Sequence, residues 1–251
     1  MNIDFSGKVV IITGGSRGIG RGLVRHFARS HATVYFTYLS NEDLAAAVVH
    51  ECKEQYGADV TGRRVDGRSG PDVESFMDTV WKAHNRIDVV VNNAAWIPRG
   101  LFLQMSGQDW SEGISANLNS VIAFCSSAIK YMIPAKSGSI INISSRSALH
   151  PGRGQAVYSA TKGAVESLTK VLALEYGSYN IRVNTIAPGL IETDVAGTMQ
   201  TELKKKIVER TPLGRIGTVD DVGSAALFLA SDYASYITGT QLLVTGGRHL
   251  D

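Results

Sequence analysis

Short runs of apolar, β-branched residues alternate with longer stretches of helical period along most of the chain. The strand-like runs fall at 8–13, 32–37, 59–65, 87–92, 138–144, 181–187 and 241–245. The first, Val9-Val10-Ile11-Ile12-Thr13, is apolar without alternation, as in a strand covered on both faces. Between the runs the period changes. Val165, Leu168, Leu172 and Tyr176 recur every three or four positions, the mark of an amphipathic helix. Strand and helix alternating at this spacing predict right-handed crossovers and an α/β, doubly wound parallel sheet with helices on both faces. No linker, low-complexity tract or repeat interrupts residues 1–251, so the reading is a single domain. The rhythm breaks only at about 190–216, after Pro188-Gly189 and before Gly214 and Gly217. A segment of this kind after a strand end is a candidate substrate lid.

Composition adds mostly exclusions. The 251 residues are 44% hydrophobic and 19% charged, the balance of a globular protein with a sizeable core. A net charge of +2 is too mild to indicate nucleic-acid binding. The run Lys204–Lys206 reads as the solvated face of a short helix. Cys52 and Cys125 lie far apart without ligand spacing, so neither a metal site nor a disulfide is expected. Reduced thiols fit a cytoplasmic location. The N-terminus does not read as a signal peptide, and no apolar run is long enough for a membrane span.

Chemistry first shows in residues 13–20, Thr-Gly-Gly-Ser-Arg-Gly-Ile-Gly, which follow the first strand and open a helix. In that context Gly14 permits the tight turn, Gly18 the approach of backbone to a pyrophosphate, and Gly20 close helix–strand packing. Ser16 and Ile19 belong to the same loop. The phosphates of a dinucleotide would meet the free N–H groups at the helix start. This is a Rossmann-like arrangement. The second strand ends in Tyr38, Leu39, Ser40 and Asn41, with no acid before Glu42. A carboxylate there would repel a ribose 2′-phosphate; Arg17 would attract it, with Ser40 and Asn41 as donors. NADP(H) is therefore preferred, with NAD(H) still open.

Tyr158 and Lys162 stand four apart on a helical stretch and so share a face. An ammonium beside a phenol, together with an oxidised nicotinamide ring, would lower the phenol pKa and suit Tyr158 to acid/base work. Thirteen residues upstream, Ser145 ends the fifth strand, where α/β proteins bind ligands. Ser144 and Ser147 compete with it as substrate hydroxyls.

These motifs resemble, in order and spacing, the short-chain dehydrogenase/reductase family over essentially the whole chain. The resemblance rests on Thr13–Gly20, Asn92-Asn93-Ala94, Asn117, Ser145, Tyr158 with Lys162, and Pro188-Gly189 followed by Thr193. It implies that Ser145 orients the substrate carbonyl, Tyr158 transfers the proton, and Lys162 lowers the Tyr158 pKa and binds the nicotinamide ribose. Asn117 would help hold a relay water. Asp66 would lie near the adenine, Asn92 and Ala94 beside the cofactor, and Asn92 would also steady the sheet. Pro188, Gly189, Ile191 and Thr193 would shape the carboxamide loop. Departures are Ala95 where the family has glycine, Gly67 where an aliphatic residue is commoner, and Leu39 where many NADP-dependent members have arginine.

Within the family, Ala187–Val195, Pro212–Gly217 and Phe228–Gly239 are similar to the 3-oxoacyl-acyl-carrier-protein reductases. One basic carrier-docking position matches Lys136; another holds the uncharged Tyr179. The candidate pocket wall is Trp96, Ile97, Arg146, Leu149, His150, Gln155 and Ile191, an apolar majority suited to an acyl chain or ring, with Ser147 also a pocket candidate. The leading expectation is an NADPH-dependent ketoreductase for a 3-oxoacyl thioester or similar ketone. The alternative is an NAD(P)-dependent alcohol, polyol or sugar dehydrogenase with a small free substrate. A catalytically silent dinucleotide sensor is a more remote reading. The resemblance also implies a homotetramer built on helices at about 111–131 and 156–176 and on contacts around 238–247.

Overall fold

The computed structural model describes residues 3–193 and 201–250. Seven strands form one parallel sheet: β1 (Val9–Ile12), β2 (Thr33–Tyr38), β3 (Val60–Arg64), β4 (Val89–Asn92), β5 (Gly138–Ile143), β6 (Ile181–Pro188) and β7 (Gln241–Val244). All seven expected strands are present, each boundary within two residues of its apolar run. Their order is β3-β2-β1-β4-β5-β6-β7. The chain runs outward from β1 to β3, then crosses back to place β4 on the other side of β1. That reversal leaves a crevice at the carboxyl ends of β1 and β4, where such sheets bind ligands.

Among the described residues the helices are α1 (Gly18–Arg29), α2 (Glu42–Tyr56), α3 (Gly70–His84), α4 (Gly107–Ile114), α5 (Ser120–Ala135), α6 (Ala156–Tyr176), α7 (Thr201–Glu209) and α8 (Val219–Ala230). Side-chain caps start several of them. The side chains of Asn41, Ser69, Ser106 and Thr218 accept from backbone N–H groups of α2, α3, α4 and α8. Helices cover both faces, and each face has its own core. Leu23, Phe27, Val48, Val222 and Leu229 pack with Phe36, Val10 and Ile12 on one side. On the other, Phe76, Met77, Phe124, Met132 and Val165 pack with Ile11, Val90 and Ile140.

One helix differs from expectation. The stretch anticipated at 111–131 starts at Gly107, ends at Ala135 and is broken by a π-helical turn at Ser115–Asn119. The Ser106–Asp109 capping box fixes the earlier start. The hydrophobic period continues through the wide turn, so the pattern does not reveal it. Of the candidate lid, residues 194–200 lie outside the described ones. Its base is tied down, because Ile191 bridges Gly217 and the Glu192 amide donates to the Gly217 carbonyl at 2.7 Å. No helix among the described residues is long and apolar enough to cross a membrane.

Candidate active site

The glycine turn is held from two sides. Thr13, buried at the end of β1, accepts from the Asn93 and Ala94 amides at 2.9 Å each. The Asn93 side chain returns bonds to the Thr13 and Gly14 carbonyls at 2.9 and 3.2 Å. The loop after β4 is thereby fastened to the loop after β1. Gly18 has φ +54°, and a methyl on Gly20 would overlap the Gly14 carbonyl, so both positions need glycine. Arg17 is the N-cap of α1 but gives no side-chain cap, and the first turn carries no acid. The helix start thus presents free N–H groups and positive dipole to an anion. Ser16 and Gly14 are half-buried, and Ile19 packs on the core. Thr193 lies opposite Gly18 across the turn. These residues fit a dinucleotide pyrophosphate.

The end of β2 fits an adenosine. Tyr38 is half-buried, while Leu39, Ser40 and Asn41 are exposed. The Asn41 side-chain oxygen Oδ1 is committed to capping α2, accepting from the Leu44 amide at 2.9 Å. Arg64 on β3 reaches across to donate to the Leu39 carbonyl at 3.0 Å, adding a second cation beside this strand end. Asp66 departs from simple expectation. Its carboxylate is gripped by the Arg68 guanidinium at 2.7–3.2 Å, which pulls its pKa down. Gly67 has its own reason, since a methyl there would stand 2.5 Å from the Ser120 hydroxyl. Ala95 does not adopt positive φ, so its methyl is tolerated without displacing the loop.

Asn92 faces the interior. It is 2% exposed and donates to Asn142 at 2.8 Å, and Asn142 donates to Thr169 on α6 at 2.9 Å. Its side chain therefore ties the sheet to α6 from within and is not placed on the crevice surface. Pro188 ends β6, and the Gly189 amide donates to the Val244 carbonyl at 2.9 Å. Ile191 is buried against the core behind this loop.

The three serines near β5 are separated by their partners. Ser144 donates to Glu166 at 2.6 Å, and Ser147 donates to Gln155 at 3.1 Å. Ser145 accepts from the Ser147 amide at 3.1 Å, and of the three it is the one whose hydroxyl acts on Tyr158, opposing the rise in its pKa. Tyr158 and Lys162 both lie on the buried face of α6. The Lys162 ammonium donates to the Ile143 carbonyl at 2.6 Å and stands 5.8 Å from the Tyr158 ring centre. The expected lowering of the Tyr158 pKa by Lys162 is not what the protein's own groups produce. Burial pushes Tyr158 up, and the Ser145 hydrogen bond is the opposing influence. Burial also pulls Lys162 down to about 8, against the charge of Glu166. Asn117, fully buried in the π turn, clamps Trp96 by exchanging hydrogen bonds with its amide and carbonyl, both at 2.8 Å. It also donates to Thr161 at 3.2 Å, and Thr161 donates to the Tyr158 carbonyl at 2.9 Å.

Around this row lie the expected pocket residues. Trp96, Ile97, Leu149 and His150 are exposed. Gln155 accepts from the Gly152 amide at 2.8 Å and helps shape the loop before α6. Arg146 turns away, donating to the Arg248 and His150 carbonyls at 3.2 Å each, and so pins the C-terminal turn near Ser145. Four participants escaped the sequence reading. The Thr13–Asn93 latch and Thr161 sit inside quoted motifs whose spacing carries no sign of their bonds. Arg68 could be found as a cation two residues from Asp66. Glu166 was signalled only by standing four residues after Lys162.

Fold and site together define a nicotinamide-dinucleotide-dependent oxidoreductase acting on a CH–OH/C=O pair. A family model described as enoyl-(acyl carrier protein) reductase matches residues 14–249. The 3-oxoacyl-acyl-carrier-protein reductase of Chlamydia pneumoniae is 44% identical over 247 residues, 98% of this chain and 99% of its own. That of Aquifex aeolicus is 38% identical over the same shares. Among solved structures, a short-chain type dehydrogenase/reductase from Mycobacterium ulcerans superimposes with TM-score 0.95 at 32% identity, over 98% of this chain and 91% of its own. A gluconate 5-dehydrogenase from Burkholderia cenocepacia in complex with NADP and tartrate gives 0.93 at 31%, over 100% and 98%. The chain belongs to the short-chain dehydrogenase/reductase family.

Proposed function

We propose that the protein is an NADPH-dependent ketoreductase that reduces the carbonyl of a 3-oxoacyl thioester, with Tyr158 as proton donor. The observation that carries this reading is the pairing of Tyr158 with Ser145 at the carboxyl end of β5, beside the glycine turn after β1. The thioester is supported by the named activity of relatives such as that of Chlamydia pneumoniae and by the apolar rim of Trp96, Ile97 and Leu149. The preference for NADPH is supported by Arg17 and Arg64 and by the lack of a carboxylate at Tyr38–Asn41.

The Gly14–Gly20 turn and the first amides of α1 would hold the pyrophosphate, Arg17 and Ser40 the 2′-phosphate, and Lys162 the nicotinamide ribose. Bound NADPH supplies the hydride. The rest of the chemistry belongs to the chain. Ser145 donates to the ketone oxygen and fixes its direction. As negative charge develops on that oxygen, Tyr158 gives it a proton. Burial keeps Tyr158 protonated at neutral pH, which suits a donor. Lys162, drawn down to about 8 by burial, can resupply that proton. Asn117 acts by position, joining Trp96 on the rim to the helix that bears Tyr158 through Thr161.

The test is loss of reduced-cofactor absorbance with acetoacetyl thioesters, free ketones and sugars, comparing NADPH with NADH. NADPH oxidation with the thioester is the expected result. Turnover only of free ketones or polyols would move the protein to the alcohol or polyol dehydrogenases. Tyr158→Phe should abolish turnover while cofactor affinity stays within about twofold, because only the proton donor is lost. A homotetramer also belongs to this reading. It is supported by an apolar groove between α5 and α6, lined by Ile122, Ile129, Ile133, Leu168 and Leu172, and by the 85% exposed Leu174 elsewhere on α6. Light scattering that returned one chain mass would refute it.

A further inference from the structure

Helix α6 presents three polar side chains at successive turns, Tyr158, Lys162 and Glu166, and each engages one of three consecutive residues at the end of β5. Tyr158 meets the Ser145 hydroxyl, Lys162 the Ile143 carbonyl, and Glu166 the Ser144 hydroxyl. Spacing of four keeps the three on one helical face. Glu166 does more than follow the row. The same carboxylate oxygen that accepts from Ser144 accepts from the Gln241 side chain at the start of β7. It therefore joins α6, β5 and the sheet edge at one atom. A carboxylate half out of solvent is not a free choice for a helix surface, and burial pushes its pKa up.

We propose that Glu166 is a positioning residue for the reaction: it fixes the strand end that carries Ser145 against the helix that carries Tyr158, and it sets a negative charge opposite the buried Lys162 ammonium. The inference rests on the ketoreductase reading above. The charged groups that act on Glu166 are Lys162 and Lys170, one turn to either side on α6; its partners from the strands, Ser144 and Gln241, are neutral. Burial draws Lys162 toward deprotonation, and Glu166 opposes it. Removing that charge lowers the pH at which the ammonium is lost.

Two variants separate charge from contact. Glu166→Gln keeps an oxygen to accept from Ser144 and Gln241 but removes the charge. Glu166→Ala removes both. The first readout is the pH profile of kcat/KM for ketone reduction by NADPH. Its alkaline limb should move to lower pH by about half a unit or more in Glu166→Gln. In Glu166→Ala, kcat should also fall about tenfold while the KM for NADPH stays within about twofold, since the glycine turn is untouched. The second readout needs no substrate. It is the titration of the Lys162 ε-carbon by NMR of carbon-13-labelled protein, assigned against Lys162→Met. In Glu166→Gln the Lys162 midpoint should fall by the same half unit or more. A midpoint that stays in place, or an alkaline limb that superimposes on wild type, overturns the proposal. A shifted midpoint in a protein that reduces no ketone would leave Glu166 as the partner of Lys162 and sink the ketoreductase reading instead.

Discussion

Replacing Thr13 by valine tests how the cofactor cradle is held. The substitution keeps the shape of a buried side chain, 2% exposed, and exchanges one oxygen for a methyl. That oxygen accepts two backbone N–H groups, those of Asn93 and Ala94, at 2.9 Å each. Valine offers them nothing. An orphaned buried donor costs roughly 1–3 kcal/mol. Asn93 and Ala94 are only half-buried, so water recovers part of the loss and the lower end of the range applies, about 1–1.5 kcal/mol for each. The expected destabilisation is about 2–3 kcal/mol for the pair. In a chain of this length each kcal/mol lowers the melting temperature by about 2–4 °C, so the drop should be roughly 5–10 °C. Thr13→Ser keeps the acceptor and loses one methyl, worth about 0.8 kcal/mol, and should melt within about 3 °C of wild type. Cofactor affinity should follow the same order, because the latch sets the glycine turn against the β4 loop. Thermal unfolding by circular dichroism and NADPH titration by fluorescence measure both. A valine variant that melts within about 1 °C of wild type would refute the latch. So would a serine variant as unstable as the valine.

Two more predictions follow from charges. Lys162, fully buried, is drawn from the ordinary lysine value of 10.5 down to about 8. The folded chain therefore binds fewer protons than the unfolded chain across that window, and stability rises with pH through it; the penalty is fully present below about 8. Lys162→Met removes the penalty, about 3 kcal/mol at most, and leaves the Ile143 carbonyl without its donor at a cost of roughly 1–2 kcal/mol. The inactive variant should thus melt above wild type at neutral pH, with the gap closing toward pH 10.5; a lower melting temperature at neutral pH contradicts the argument. Arg17→Ala should cut the kcat/KM ratio of NADPH over NADH by about tenfold or more, the worth of one charge-assisted phosphate contact. An unchanged ratio would remove Arg17 from cofactor choice.

Much of the fold was legible because the central strands β1 and β4 are buried throughout and leave apolar runs, whereas β3, Val-Thr-Gly-Arg-Arg, and β7 are less buried and showed through the alternation of strand and helix. The π turn at Ser115–Asn119 was not legible, since one extra residue in a helix barely disturbs its apolar period. Tyr158 and Lys162 could be grouped from their spacing of four, and both lie on the buried face of α6, with the Lys162 ammonium on the Ile143 carbonyl. The choice among Ser144, Ser145 and Ser147 was not legible, because it depends on partners brought in by α6 and the loop before it. Glu166 was hidden in the same way. On a sequence it is one more charged helix residue, and its acceptor role appears only when Ser144, 22 positions away, and Gln241, 75 positions away, are folded against it. The Tyr158 pKa shows the limit of spacing arguments. Four residues of separation place an ammonium on the same face, but whether it faces the phenol or a carbonyl is decided by the end of β5.

On the proposed reading, the buried row on α6 lets the reacting groups stay fixed whichever carbonyl is bound. A desolvated ammonium is a liability for stability, and nothing in the packing of α6 requires it. Val165 and Ala173 already pack the helix into the core beside the sheet. In the proposed mechanism that charge serves proton transfer at Tyr158, and the bond to the Ile143 carbonyl holds it in one geometry. Ile143, Ser144 and Ser145 are consecutive, so a shift of α6 along its axis would break all three contacts together. The reacting groups are thus built on a helix and a strand end rather than on loops. In the proposed mechanism substrate choice falls to the side chains of Trp96, Ile97, Leu149 and His150, which are exposed. Changes at Ile97 or Leu149 should therefore alter KM among ketones, leaving the pH profile set by Tyr158 and Lys162 in place.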